Sequence, residues 1–150
     1  MWPGFGSVAD MTGPGNAARS LPLILARELA SNLATPMFLM DATGALVYYN
    51  EAADGLIGQS FAELGEIPAM EFGEMLQLRD LERAPLSRRD TPTAIAFSER
   101  RPAHLALMAR GYDGVERVAE VTAYPLFGAA DEMHGVVTVF WQSPTPSGRA

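Results

Sequence analysis

Residues 38–53 read FLMDATGALVYYNEAA. Two apolar runs, 37–40 and 45–49, flank the short polar link 41–44, which ends in Gly. Apolar runs on either side of a glycine-containing link predict a β-hairpin. Asn50 fits the N-cap of a helix, because its side-chain oxygen can accept a hydrogen bond from a free backbone N–H and helix-forming residues follow it. The stretch therefore predicts two antiparallel strands that run directly into a helix.

The segment before the hairpin, residues 20–34, predicts an amphipathic helix. Its apolar face is marked by leucines that recur every four residues, Leu21, Leu25, Leu29 and Leu33. Two interpretations stay open, because this face can pack on the chain's own sheet or mediate oligomerisation. The flanking segments are rich in Gly and Pro, so residues 1–19 predict a flexible arm and residues 143–150 a disordered tail.

The region after the hairpin predicts several short helices and then three strands. The strands fall at 102–109, 115–126 and 135–141, and the loops between them are short enough for an antiparallel meander. We therefore predict one α+β domain over residues 35–142. It has a five-stranded antiparallel sheet, short helices on one face and the N-terminal helix at its flank.

The order of these motifs resembles the PAS domain family. Five motifs carry the resemblance: residues 38–53, 57–64, 112–114, 120–126 and 135–140. They are similar to the family's first hairpin, to a Gly before a short capped helix, to an Asp-Gly turn and to the last two strands. The resemblance implies a single-domain sensor or interaction module of signalling proteins, with a half-barrel that can hold a small molecule.

Strand alternation and the family's register indicate which side chains face this half-barrel. In the strand over residues 102–109 the uniformly apolar set is the inner one, which leaves His104 outside. Glu120 stays on the outer face of the next strand, because an ionised carboxylate needs water or a partner. The pocket candidates are Phe38, Met40, Leu46, Tyr48, Ile95, Leu105, Leu107, Ala109, Val121, Val136, Thr138 and Phe140. The alternative is that Phe and Met side chains fill the interior and no ligand enters.

The composition excludes several kinds of chemistry. The chain has no Cys, and all 11 of its basic residues are Arg, so thiolate metal sites, cysteine nucleophiles and Schiff-base lysines are impossible. Photosensory PAS members use a flavin-binding cysteine, and haem-binding members use a His from the helix over residues 91–100, which has none. We expect His104 and His134 to face solvent. We therefore expect no flavin, no haem, no metal and no enzymatic activity, with an unidentified small ligand left open.

The expected partners are a second copy of the chain and a separate signalling protein. Apolar residues on the outer sheet face would form a large exposed patch, which monomers rarely tolerate, and PAS domains often dimerise through such a face. The interface candidates are Leu21, Leu25, Leu29, Leu33, Met108, Val118, Tyr124, Val137, Val139 and Trp141. Since no catalytic or DNA-binding segment follows residue 142, we expect the output to come from a separate protein.

The charge and the hydropathy pattern complete the expected function. The net charge is −7, from 18 acidic and 11 basic residues, which disfavours nucleic-acid binding. The arginines of the middle region either dock a carboxylate or phosphate of a partner or form a salt-bridged surface: Arg79, Arg83, Arg88, Arg89, Arg100 and Arg101. No signal peptide and no membrane span is evident, so a cytoplasmic location is expected. The predicted function is a PAS sensor or regulatory module that acts through protein contacts; the alternative is a ligand-free dimerisation scaffold.

Overall fold

The computed structural model describes residues 20–144, so the predicted arm over residues 1–19 and residues 145–150 of the predicted tail lie outside it. The helices are α1 (Leu21–Ala30), α2 (Glu51–Ile57), α3 (Phe61–Leu64), α4 (Ala69–Met75) and α5 (Pro92–Glu99). The strands are β1 (Met37–Asp41), β2 (Ala45–Tyr49), β3 (Ile67–Pro68), β4 (Ala103–Arg110), β5 (Glu116–Phe127) and β6 (Met133–Gln142). Short 3-10 turns at Arg88–Asp90 and Ala129–Asp131 precede α5 and β6.

These strands form one antiparallel sheet in the order β3-β2-β1-β6-β5-β4. The predicted α+β class, with an antiparallel sheet and short helices, is confirmed. The sheet has one strand more than the expected five, because Ile67 and Pro68 pair with the start of β2. A strand of two residues is too short to show an alternating pattern, so the sequence does not predict it.

A β-bulge in the first hairpin changes which side chains of β2 face the interior. The register with β1 shifts between Tyr48 and Leu46, and Val47 is the extra residue. Val47 and Tyr48 consequently both pack on the outer face, beside α1, whereas Tyr49 joins the inner core. The prediction that Tyr48 faces the pocket is wrong for this reason, since strict alternation does not survive an extra residue in the strand.

Helix α1 packs on the outer face of the sheet through the side opposite the stripe of leucines that recur every four residues. Leu23 is buried against Leu39 and Val47, with Ala26 beside it, and Ala30 is fully buried. The leucine stripe, which comprises Leu21, Leu25, Leu29 and Leu33, remains 39–64% exposed. The helix therefore packs on its own sheet, and the leucine stripe stays exposed.

The segment between β2 and β4 covers the inner face of the sheet. Asn50 caps α2 by accepting a hydrogen bond of 3.1 Å from the backbone N–H of Ala53. The loop after α4 is fixed to the edge of the sheet, because Arg79 and Met108 exchange backbone hydrogen bonds of 2.9 and 2.8 Å. This pairing protects part of the β4 edge and holds the loop beside the inner face. None of the described helices has the length and hydropathy that a bilayer crossing requires.

Candidate functional site

A cavity of about 1260 Å³ lies between the inner face of the sheet and the helices and loops above it. Its floor comes from β1, β4, β5 and β6, through Phe38, Met40, Leu107, Ala109, Ala119, Val121 and Phe140. Its roof comes from α2, α4 and the loop that follows, through Leu56, Ile57, Phe72, Leu76, Leu78 and Leu86. Two floor positions are alanines, which fill little of the space under the helices. Ligand pockets usually measure roughly 300–1000 Å³, so the volume suffices for a small molecule.

Six of the predicted pocket residues line this cavity: Phe38, Met40, Leu107, Ala109, Val121 and Phe140. Leu107 and Val121 are buried and His104 is exposed, in agreement with the register expected for β4 and β5. The ring of Phe38 lies 5.5 Å from that of Phe72 and 5.9 Å from that of Phe140, measured between centroids. These edge and tilted contacts are typical of packed aromatic rings and give the cavity an aromatic wall.

The other six predicted pocket residues lie elsewhere: Leu46, Tyr48, Ile95, Leu105, Val136 and Thr138. Leu46 and Leu105 pack within the inner core. Val136 packs against Ala96 of α5. The threonine is fully buried, and its hydroxyl lies 2.8 Å from that of Thr93, which ties α5 to β6. The isoleucine is half-buried on α5, beside the lining residue Ala94. These side chains support the cavity without facing it, and the tyrosine lies on the outer face.

The mouth of the cavity carries three exposed, charged side chains, Glu74, Arg88 and Arg89. Glu74 lies near the end of α4, and the two arginines lie on the 3-10 turn before α5. The Arg88 Nη1 atom is 3.6 Å from the Glu74 Oε2 atom. Within residues 20–144, no carboxylate lies within salt-bridge distance of Arg89. From the sequence, both arginines are predicted only as members of a basic cluster. The loop before them is irregular, so no periodic pattern indicates that they line a cavity.

Another arginine, Arg117 on β5, lines the cavity near α2. Its Nη2 atom is 3.0 Å from the Asp113 Oδ2 atom, and its Nη1 atom donates a hydrogen bond of 3.1 Å to the carbonyl oxygen of Leu56. The hydrogen bond from Arg117 holds the pKa of Asp113 below its ordinary value. The charge of Arg117 is therefore already compensated, and the guanidinium joins β5 to α2.

Two tyrosine phenols connect the helical segment to its surroundings. The Tyr49 hydroxyl donates a hydrogen bond of 2.6 Å to the carbonyl oxygen of Gln59, and the Tyr112 hydroxyl lies 2.9 Å from the Met75 sulfur. Burial raises the pKa of both phenols. Both therefore stay neutral at physiological pH and act as hydrogen-bond donors.

The polar side chains that reach the cavity do not fit haem or a flavin–cysteine adduct. They are Arg, Gln, Ser, Thr and one Glu, and the described lining contains no His. Haem iron is usually held by an imidazole or a thiolate, and the flavin adduct needs a thiol, which the chain lacks. Across residues 20–144 no three His, Asp or Glu side chains cluster in a way that could hold a metal ion.

The predicted interface residues fall in two places. Three of the leucines lie on α1 and Leu33 follows its end, and the remaining candidates lie on the outer face of the sheet. Tyr124 and Trp141 are 46% and 44% exposed, whereas Val118, Val137 and Val139 are half-buried. Met108 is only 8% exposed, so its expected place in an exposed patch is corrected. It lies where the loop after α4 pairs with β4, a contact that the strand pattern alone does not indicate.

The two histidines occupy different environments. His104 has a side chain 50% exposed on the outer face, and its ring nitrogens lie 2.6 Å from the Thr122 hydroxyl and 2.8 Å from the Glu120 carboxylate. The prediction that His134 faces solvent is wrong, because its side chain is only 20% exposed. Its ring packs directly over Gly128, where a Cβ would lie 2.1 Å from the imidazole Nε2 atom. Neither ring lines the cavity.

Comparison with known proteins identifies the fold. No family model and no curated protein matches the sequence. A PAS domain from Colwellia psychrerythraea matches with a TM-score of 0.58 at 16% identity, over 81% of this chain and 96% of that one. The BvgS PAS domain of Bordetella pertussis matches with a TM-score of 0.53 at 14% identity, over 85% of this chain and 90% of that one. The light-state dimer of the fungal blue-light photoreceptor Vivid matches with a TM-score of 0.56 at 16% identity, over 73% of this chain and 78% of that one. The chain therefore has the fold of PAS domains.

Proposed function

We propose that this chain is a sensor module of signal transduction that binds a small, largely apolar molecule in the cavity. The observation that carries the proposal is a cavity of about 1260 Å³ whose floor is formed by Phe, Met, Leu, Val and Ala side chains. A filled core would require Phe38, Met40 and Phe140 to occupy that volume, and these side chains form its wall instead. Apolar walls with a few polar groups are typical of small-molecule sites.

The module acts by binding rather than by catalysis in this proposal. Catalysis needs a nucleophile, acid or base held within hydrogen-bond reach of the reacting group. Among residues 20–144 the only lining carboxylate, Glu74, lies at the exposed mouth and 3.6 Å from Arg88, which is the geometry of a surface ion pair. The net charge of −7 argues against a nucleic-acid partner. We place the module in the cytoplasm, where it passes its ligand state to a separate signalling protein.

Ligand binding is tested by extraction and by a neutral probe. Protein purified under native conditions is extracted with organic solvent for mass spectrometry, and N-phenyl-1-naphthylamine fluorescence reports an accessible apolar cavity. We expect a stoichiometric extracted molecule or saturable binding of the probe. Ala119→Phe and Ala109→Phe add rings to the cavity floor, so each should weaken probe binding at least tenfold. Ala106→Phe is the matched control, because Ala106 lies on the opposite face of β4 from the inner set.

The result that contradicts ligand binding is equally specific. Wild-type protein that yields no extracted molecule and does not bind the probe would favour the ligand-free scaffold. Equal probe affinity in correctly folded Ala119→Phe and Ala106→Phe variants would place the probe outside the cavity. Circular dichroism on each variant confirms that the comparison is made between folded proteins.

A second proposal is that the chain forms a homodimer through the leucine stripe. Leu21, Leu25 and Leu29 are 64%, 57% and 58% exposed on a helix whose other side is already packed on the sheet. Trp141 and Tyr124 are also exposed, on the outer face of the sheet. Exposed apolar patches of this kind mark protein interfaces more often than monomer surfaces, and a two-fold dimer would cover both copies at once.

Light scattering on the full chain tests the dimer. We expect about twice 16.1 kDa at micromolar concentration. Leu25→Glu with Leu29→Glu should give a monomer, because two buried carboxylates per protomer would be costly at the interface. The matched control is Leu81→Glu with Val115→Glu. Both residues are aliphatic, are 47% exposed and lie outside α1. A wild-type protein that stays monomeric at high concentration contradicts the proposal.

A further inference from the structure

The charges around the cavity are opposite in sign to those of the chain as a whole. The chain has a net charge of −7. The residues that line the cavity nevertheless include three arginines and a single glutamate, which is Glu74. An acidic chain that concentrates arginine around one cavity favours anions there over cations.

The arginines differ in how much of their charge is available to a ligand. Arg117 is committed to Asp113 and to the carbonyl oxygen of Leu56. At the mouth, Arg88 is 3.6 Å from Glu74, and Arg89 has no carboxylate partner within residues 20–144. The mouth therefore carries two guanidinium groups against one carboxylate, an excess of one positive charge.

Helix α5 adds a further positive contribution at the same place. Thr91, Pro92 and Thr93, which form its N-cap and first turn, all line the cavity. The N-terminus of a helix carries a partial positive charge. In α5 the free backbone donor there is the Thr93 N–H, because Pro92 has no N–H and the Ala94 N–H donates a hydrogen bond of 3.2 Å to the Thr91 hydroxyl. The excess charge of the mouth and this helix end together suit one singly charged anion, and a dianionic phosphate would exceed them.

From this arrangement we infer that the ligand of the cavity is an amphipathic carboxylic acid, with its apolar body on the floor and its carboxylate at Arg88 and Arg89. The inference rests on the proposed ligand-binding function and adds the chemical class of the ligand. The floor offers apolar and aromatic surface for a chain or ring system, through Phe38, Leu107, Val121 and Phe140. Guanidinium groups bind carboxylates through paired N–H donors, and this geometry is stronger and more specific than a single hydrogen bond.

A matched pair of ligands tests the inference. Decanoate and 1-decanol share the alkyl chain and differ in the charged head, and both are measured by displacement of bound N-phenyl-1-naphthylamine. We expect decanoate to displace the probe at a concentration at least tenfold lower than 1-decanol. In Arg88→Gln with Arg89→Gln that preference should disappear, while the affinity for 1-decanol stays within twofold of wild type.

The control variant is Arg101→Gln. Arg101 is also an exposed arginine, but it pairs with Glu99 and does not line the cavity, so the preference for decanoate should persist. Equal or weaker displacement by decanoate in the wild type overturns the acid inference and leaves ligand binding intact. A preference that survives in the double variant overturns it as well. If neither ligand nor probe binds, the proposed function fails together with the inference.

Discussion

The side-chain amide of Asn50 donates a hydrogen bond of 3.0 Å to the carbonyl oxygen of Ala30, the last residue of α1. The same amide nitrogen donates a second hydrogen bond, of 2.8 Å, to the carbonyl oxygen of Thr35. The side-chain oxygen accepts hydrogen bonds from the backbone N–H groups of Met37 and Ala53. Asn50 is 1% exposed, so all four bonds replace water. One side chain thereby joins α1, β1 and α2.

Asn50→Ala should lower the free energy of unfolding by about 3 kcal/mol. The substitution removes an N-cap, and it leaves buried backbone donors and acceptors unpaired, at about 1–3 kcal/mol for each buried group. Urea denaturation measures the change. Ser31→Ala is the control, because the Ser31 hydroxyl makes only an exposed hydrogen bond to the Glu28 carbonyl and its loss should cost less than about 0.5 kcal/mol. Similar midpoints for both variants would contradict the role assigned to Asn50.

Two glycines of α2 should respond in opposite directions to the same substitution. Gly58 ends the helix at φ 89°, and a Cβ there would lie 2.6 Å from the backbone nitrogen of Asp113. Gly58→Ala should therefore lower the free energy of unfolding by about 2 kcal/mol or more, because of left-handed backbone strain and the clash with the β4–β5 turn. Gly55 lies within the helix with open space around it, so Gly55→Ala should raise the free energy of unfolding by about 0.5–1 kcal/mol. Thermal unfolding of the two variants decides, and a loss of stability in both would show that α2 is not a helix at Gly55.

The first hairpin could be predicted from the sequence because its determinants are local. Gly44 takes φ 91°, and the Asp41 carboxylate accepts hydrogen bonds from Thr43 and Ala45 across the turn. The bulge at Val47 could not be predicted, because apolar residues occupy both faces of β2. Helix α1 covers the outer face there, so the alternation of polar and apolar residues that would reveal the register is missing.

The orientation of α1 and the position of the mouth arginines depend on tertiary structure. The leucine stripe is the strongest apolar pattern of the helix, yet the sheet packs against the other side, where Leu23 is buried and the small side chains of Ala26 and Ala30 allow close approach. Arg88 and Arg89 reach the cavity because the loop after α4 is anchored to β4 through Arg79. That pairing is non-local and has no periodic signature in the sequence.

Purified protein should be colourless. The lining contains no His among the described residues, and the chain contains no Cys, so neither haem ligation nor a flavin–cysteine adduct has its usual ligand. An absorption spectrum after gel filtration measures this directly. A carboxylic acid such as decanoate has no visible band, so its presence would not alter the expected result. A visible band that co-elutes with the protein would contradict both the absence of a chromophore and the proposed ligand class.

The pKa of Asp113 should rise when Arg117 is removed. The Arg117 hydrogen bond is the largest cause of the lowered pKa of Asp113, and the hydrogen bond from the Val115 N–H contributes next. A carboxylate with a lowered folded-state pKa contributes stability above the unfolded pKa and loses it as the pH falls through the folded value. The contribution of this pair is therefore present at neutral pH and lost below about pH 4.

Carboxyl-carbon NMR titration of Arg117→Gln tests this coupling. We expect the pKa of Asp113 to move up towards the ordinary aspartate value without exceeding it, because the Val115 bond remains. Arg83→Gln is the reciprocal control, since Arg83 Nη1 lies 2.9 Å from Glu116 Oε1 and is the main cause of the lowered pKa of that glutamate. Arg83→Gln should raise the pKa of Glu116 and leave Asp113 unchanged. An Asp113 pKa that is the same in wild type and Arg117→Gln would show that the guanidinium does not hold this carboxylate in solution, and that its charge is open to the cavity.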